Sequence, residues 1–224
     1  MKMEKSSKII LDLCGGTGAW SKPYRDARYD VRLITLPEYD VMETEFGSDK
    51  RIYFKSENHE KEMYGINPAD VYGILAAPPC TKFSKADWLH KKKERDFVEG
   101  MKCVRACMNI IWHIQEQGAP LKFWALENPM GYLYNFLGNP AYYFQPWWFG
   151  ETNFTKTKRE ALWGYFNAPA RTILKRNFPF ISPHTSKRDT VEKLRENKEW
   201  YTASAEDRSK TSSFFANAFF KANQ

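Results

Sequence analysis

Apolar and polar positions alternate in two modes along this chain: short unbroken apolar runs, each stopped by glycine or proline, and longer stretches in which apolar residues recur three or four positions apart. "KIILDL" predicts a buried strand over residues 8–13, followed by the glycine turn "CGGTG" leading into a helix. "YDVRLITL", 29–36, predicts a second strand. "DVYGILAAP", 70–78, predicts a third, which must stop at Pro78 and Pro79 because proline has no N–H to give a ladder. Residues 94–117, "ERDFVEGMKCVRACMNIIWHIQEQ", carry helical spacing and end at Gly118 and Pro120. "LKFWALENP", 121–129, predicts a fourth strand halted by Pro129.

Strands alternating with helical stretches predict an α/β fold with a mostly parallel central sheet and helices on both faces. In such sheets ligands bind beyond the carboxyl ends of the strands. Residues 14–18, Cys80 and Glu127 each stand just past such an end, so all three are expected along one rim.

Composition narrows the picture. The 224 residues, 42% hydrophobic and 27% charged, suit one main globular domain and argue against a disordered or fibrous chain. There is no internal repeat. "MKMEKSSKII" runs directly into the first strand with no long apolar stretch, which predicts neither a signal peptide nor a membrane span, and hence a cytoplasmic location. An excess of 34 Lys+Arg over 27 Asp+Glu, net +7, would concentrate a polyanion if the charges cluster. Where exposed, some of the 8 Trp, 12 Tyr and 16 Phe would suit base stacking. The four cysteines are too few and too irregularly spaced for a disulfide framework. Cys103 and Cys107, four apart, could share a helix face for a metal, but no second ligand pair appears, so they are read as small core residues and no metal is expected.

Three stretches carry candidate chemistry. In "DLCGGTGAW" the glycines let the backbone approach a ligand closely, although a plain strand-to-helix turn would look similar. In "PPCTKFS" a thiol fixed by two prolines and followed by basic residues suits a thiolate nucleophile; the bland alternative is a small buried hydrophobe. In "LENP", Glu127 stands where burial would raise its pKa, a suitable acid beside a thiol; a turn residue or helix cap is the alternative.

Taken in order, "DLCGGTG", "PPCTKFS", "LENP", the basic "TKTKREALWG" and the terminal "FFANAFF" resemble the DNA (cytosine-5) methyltransferases, notably the short phage-type members, over about residues 9–222. The resemblance implies a Rossmann-like methyltransferase fold that uses S-adenosylmethionine and acts on DNA in the cytoplasm of a bacterial host. Cys80 would be the thiolate that adds to cytosine C6, and Glu127 the carboxyl group on the N3 edge. Pro79, Asn128 and Pro129 would shape the pocket. Because the base must leave the stack, a basic loop beside the nucleophile is expected, and residues 82–95, with Lys82, Ser84, Lys85, Lys91, Lys92, Lys93 and Arg95 around Trp88, fit that role. For the cofactor the resemblance points to Asp12, Cys14, Gly15, Gly16, Gly18, Trp20, Asp40, Pro78 and Asn217.

The chain departs from the family pattern at three points. The acidic residue expected at the end of the second strand has no clean counterpart: Leu36 stands first in line and Glu38 two residues late. The family's Gln-x-Arg-x-Arg stretch appears as "KTKRE", which makes Lys158 and Arg159 the candidates for the cytosine O2 and phosphate contacts and leaves Glu160 where an Arg is usual. Only residues 165–213 separate this motif from the last one, so the expected organisation is a catalytic core, 1–164, a reduced recognition region, 165–213, and a C-terminal helix, 214–224, returning to the core. So small a region predicts low sequence specificity or a protein partner that supplies recognition. The alternatives are a related enzyme acting on single strands or free nucleotides or using a modified cofactor, and a catalytically lapsed DNA-binding module.

Overall fold

The computed structural model describes residues 8–56, 63–84, 95–119, 121–151, 159–175 and 210–224. Its centre is a six-stranded sheet of β1 (Ile9–Leu13), β2 (Asp30–Ile34), β6 (Val71–Ala76), β7 (Phe123–Pro129), β8 (Tyr142–Phe144) and β9 (Glu160–Tyr165), in the order β2-β1-β6-β7-β9-β8. The first four are parallel, and β9 runs antiparallel to both β7 and β8. All four expected strands form. The second ends at Ile34, two residues short of the apolar run.

The inner strands β1, β6 and β7 read as largely apolar runs because both faces are covered. Leu11, Leu13, Ile74, Ala76 and Leu126 point to one face, beneath helix α2 (Phe97–Glu116), whose Val104, Cys107, Ile110, Ile111 and Ile114 form a buried stripe at helical spacing. Asp96 caps α2 by accepting from Glu99 N–H at 2.9 Å, and Gly118 ends it in the left-handed region. Ile10, Leu75, Phe123 and Ala125 point to the other face, under a helix built from the end of the chain, Ser213–Asn223, which follows α1 (Lys22–Asp26) and α3 (Tyr134–Leu137) and is called α4. Thus "FFANAFF" does return to the sheet as a helix.

One expectation needs correcting. The glycine turn does not lead straight into a helix: the chain turns irregularly over residues 14–21, and α1 starts only at Lys22 and is five residues long. Pro23 within its first turn sets that start. No helix dipole therefore stands behind the glycines.

Between β2 and β6 the chain makes a second, antiparallel sheet of β3 (Glu45–Phe46), β4 (Ile52–Lys55) and β5 (Met63–Ile66). Ile52, Phe54 and Ile66 join the α2-side core, so this sheet extends the domain instead of standing apart. Among the described residues, no helix is long and apolar enough to cross a membrane.

Candidate active site at the sheet's carboxyl rim

The strand order turns around at β1: β2 lies on one side of it and β6, next in the same sheet, on the other. In open α/β sheets the ligand crevice lies at such a reversal, which here is the region beyond the carboxyl ends of β1 and β6. Residues 14–18 leave β1 there, and 77–84 leave β6. Cys14 N–H bonds to Ile34 O at 2.8 Å and Ala77 N–H to Leu13 O at 2.9 Å, so the ladder runs to the edge of the crevice and stops.

The thiol segment is held from two directions. Asn128, fully buried, donates its side-chain N–H to Pro78 O at 3.0 Å. Because β6 and β7 pair Ala76 with Leu126, Glu127 and Asn128 lie alongside residues 77 and 78. "PPC" and "LENP" are thus tied together through Asn128 and Pro78. From Cys80 the chain makes one tight turn: the N–H groups of Phe83 and Ser84 both bond to Cys80 O, at 2.9 and 2.8 Å. Phe83, fully buried, stacks on Phe97 at the start of α2, and its carbonyl accepts Tyr132 N–H at 2.8 Å. Within this frame Cys80 and Glu127 are half-buried, Pro78 is buried and Pro79 exposed.

Arg159 reaches the same rim from the opposite direction. Since β9 is antiparallel, its first residues stand beside the last of β7, with Glu160 opposite Pro129 and Met130 N–H bonded to Arg159 O at 2.9 Å. The exposed guanidinium lies 5.4 Å from the centre of the Tyr143 ring. Glu160 is buried. Arg95, assigned from the sequence to the basic loop, donates to Lys82 O at 3.1 Å and lies over the Tyr132 ring at 5.0 Å, so residues 82–84 and 95–96 emerge side by side next to Cys80. Lys85, Trp88, Lys91, Lys92, Lys93, Lys158 and most of the expected recognition region lie outside the described residues.

The residues expected around the cofactor divide into two groups. Gly15, Gly16 and Gly18 line the turn after β1; Gly16 and Gly18 have positive φ, and a Cβ on Gly16 would meet nothing within 4 Å, so that side of the crevice is open. Asp40 and Glu38 follow β2. Asp40 accepts from Met42 N–H at 2.8 Å and Glu38 from Ser56 Oγ at 3.0 Å, and a carboxylate can accept about four bonds, so neither of these bonds saturates its acceptor. Leu36, where the resemblance asks for an acid, is exposed. Trp20, by contrast, is 2% exposed and packs on Phe215 and Phe219 of α4, a core position with no open face. Asn217, exposed, bonds its own helix at Ser213 O, 2.8 Å.

Asp12 lies buried beneath the glycine turn on the α4 side of β1, so close that a Cβ on Gly15 would come within 2.1 Å of its Oδ1. Its carboxyl group is fully buried and accepts from Ser21 Oγ, while Oδ1 has no hydrogen-bond partner among the described residues. Burial, offset only in part by the Ser21 bond and the charge of Arg25, pushes its pKa up from 3.8 to about 6. The folded chain therefore holds this proton more tightly than the unfolded one. The stability it contributes is fully present below about 3.8 and is lost as pH rises through about 6. Asp12→Asn keeps the shape and removes the penalty, so it is expected to raise stability near pH 8 by about 2–3 kcal/mol and to change little near pH 4. Urea unfolding at the two pH values checks this; an equal change at both would refute it.

Sequence reasoning missed two features. Tyr143, on β8, sits under Arg159, and no pattern around residue 143 marks it. Cys14, Cys103 and Cys107 come together, with sulfur atoms 3.4 Å (Cys14 to Cys103) and 3.9 Å (Cys14 to Cys107) apart. The four-residue spacing of the last two was the one available signal.

Fold and rim together define an α/β protein with a mostly parallel six-strand sheet, compatible with a Rossmann-like fold, and with a candidate site at its topological switch point. No family model matches the chain, and no curated protein sequence is significantly similar to it.

Proposed function

We propose that the protein is a DNA cytosine-5 methyltransferase of low sequence specificity, its methyltransferase core built on the sheet described above. The observation that carries this reading is the Asn128 tie to Pro78 O, which brings the "PPC" and "LENP" segments together at the crevice that also receives the glycine turn. A thiol, a carboxyl group and an arginine then share one rim.

Cytosine C5 is a poor nucleophile. Addition of the Cys80 thiolate to C6, with Glu127 hydrogen-bonded at N3 to offset charge developing on the ring, makes C5 enamine-like. S-adenosylmethionine, when bound, supplies the electrophilic methyl group; the open side at Gly16 and the carboxylates of Glu38 and Asp40 would hold it. After methylation, loss of the C5 proton drives out the sulfur and restores both the aromatic ring and the thiolate. Arg159 supplies positive charge for the cytosine O2 or a backbone phosphate, steadied over Tyr143. The adjacent emergence of residues 84 and 95 beside Cys80 suits a loop that fills the space of a rotated-out base.

Fluorine at C5 cannot leave as the proton does, so an oligonucleotide carrying 5-fluorocytosine, incubated with S-adenosylmethionine, should trap the covalent adduct. The expected result is an adduct with duplex DNA that is absent in Cys80→Ala. An adduct only with single strands or nucleotides would replace the substrate in this proposal, and binding without any adduct would overturn it in favour of a non-catalytic DNA-binding role.

A further inference from the structure

The three-cysteine group lies on the opposite side of β1 from Asp12; it takes in Cys14, which the resemblance assigned to the cofactor but whose sulfur faces Cys103 and Cys107 of α2 instead, and no residue used in the chemistry just proposed. Cys14 leaves the end of β1; Cys103 and Cys107 stand one turn apart on α2, facing it. All three sulfur atoms lie within 4.8 Å of one another. An ion bound to thiolates at about 2.3 Å in trigonal or tetrahedral geometry needs sulfur atoms about 3.8–4.0 Å apart. The Cys14–Cys107 separation of 3.9 Å matches that spacing, and the Cys14–Cys103 separation of 3.4 Å falls a few tenths of an ångström short of it. A disulfide would instead require two of the sulfurs to close to about 2.05 Å.

Two more features point to a ligand and not only to packing. Cys14 adopts φ 58°, a conformation that costs a non-glycine residue about 1–3 kcal/mol, and does so with its sulfur directed at α2. The cluster is also graded in exposure: Cys107 is fully buried while Cys14 and Cys103 are half-buried, so one edge is reachable from solvent.

We propose that Cys14, Cys103 and Cys107 form a binding site for one thiophilic d10 cation of the zinc class, fastening the exit of β1 to α2. Among the described residues no histidine or carboxylate completes the set, so the fourth position falls to solvent or stays vacant in a trigonal complex. Soft thiolates select such ions over magnesium or calcium. Binding of a divalent cation by the three thiols as thiolates gives a complex of charge −1 and releases the three sulfur-bound protons. Because the ion binds the folded chain, it should raise the unfolding temperature with concentration.

Cadmium is the probe, since its bonds to thiolate give an ultraviolet charge-transfer band whose intensity follows the number of sulfurs. Titration of the reduced, metal-free protein should reach its end point at one equivalent, with a rise in unfolding temperature. Cys103→Ser and Cys14→Ser, each at a half-buried position, should weaken binding on the order of 100-fold and lower the band, while Cys80→Ser should leave both intact. Each serine variant is compared with wild type by its metal-free unfolding curve, and either one that folds suffices. No band, a band lost in Cys80→Ser, or mass-spectrometric evidence that Cys14 and Cys103 simply join as a disulfide and bind no cadmium would overturn the proposal.

Discussion

Gly131→Ala is expected to slow formation of the Cys80 adduct by about 100-fold or more while leaving the chain folded. Gly131 is buried where the segment after β7 crosses the turn that carries Cys80. A Cβ built there would lie 2.0 Å from Phe83 O and 2.9 Å from Phe83 C, both main-chain atoms, so no side-chain rotation relieves the clash. Phe83 cannot yield easily either, because its ring is buried against Phe97 and its carbonyl is bonded to Tyr132 N–H. The turn itself must retreat by roughly 1 Å, and a displacement of that size at a nucleophile costs about 100-fold in rate. The sheet registers on both sides of the turn are untouched by the change. Adduct formation with the fluorinated oligonucleotide, measured beside a urea unfolding curve, separates the two effects. Unchanged adduct kinetics would show that the turn does not position the thiol.

Phe219→Ala should cost about 3–5 kcal/mol of folding stability, the range for truncating a fully buried aromatic side chain. Phe219 is fully buried on α4, and its ring meets Trp20 at 5.4 Å, Phe123 of β7 at 5.6 Å, Phe166 at 5.7 Å and Phe215 at 5.9 Å. These contacts join the last helix to the sheet, to the turn after β1 and to the segment after β9. An eleven-residue helix is marginal in isolation, so α4 depends on this packing. Equilibrium urea unfolding measures the loss; a change under about 1 kcal/mol would mean that neighbouring rings close over the gap.

The parts of the fold visible in the sequence are those whose burial is two-sided. β1, β6 and β7 are covered on both faces, so their runs are apolar apart from Asp12 in β1 and Glu127 and Asn128 at the end of β7, and glycine or proline follows each closely. The α2 stripe was visible because one long helix repeats its pattern over five turns. β3, β4, β5 and β8 escaped because none exceeds four residues, and in β4 Ile52 and Phe54 are buried while Tyr53 and Lys55 are not; β9 lies in a stretch that was read only as a basic motif.

The rim was legible because one rule, binding beyond the carboxyl ends of parallel strands, converts sequence position into spatial proximity without any knowledge of side-chain packing. Asn128 was singled out as a pocket residue, but its bond to Pro78 O depends on the β6–β7 register, which a single sequence does not reveal. Trp20 shows the opposite failure: an aromatic after a glycine turn suits either a ligand or a core, and only the return of α4 over it decides between them. The cysteine trio was hidden by sequence distance, since 89 residues separate Cys14 from Cys103.

Pro78 and Pro79 have a further consequence for how this region can be observed. Neither carries an amide hydrogen, so the two residues immediately before the thiol contribute nothing to a hydrogen-exchange map, however rigid they are. The side-chain amide of Asn128, buried and bonded to the Pro78 carbonyl, is the natural reporter in their place. Its two hydrogens should give slowly exchanging, well-dispersed signals as long as the hook is closed, and should sharpen into the bulk amide envelope when it opens.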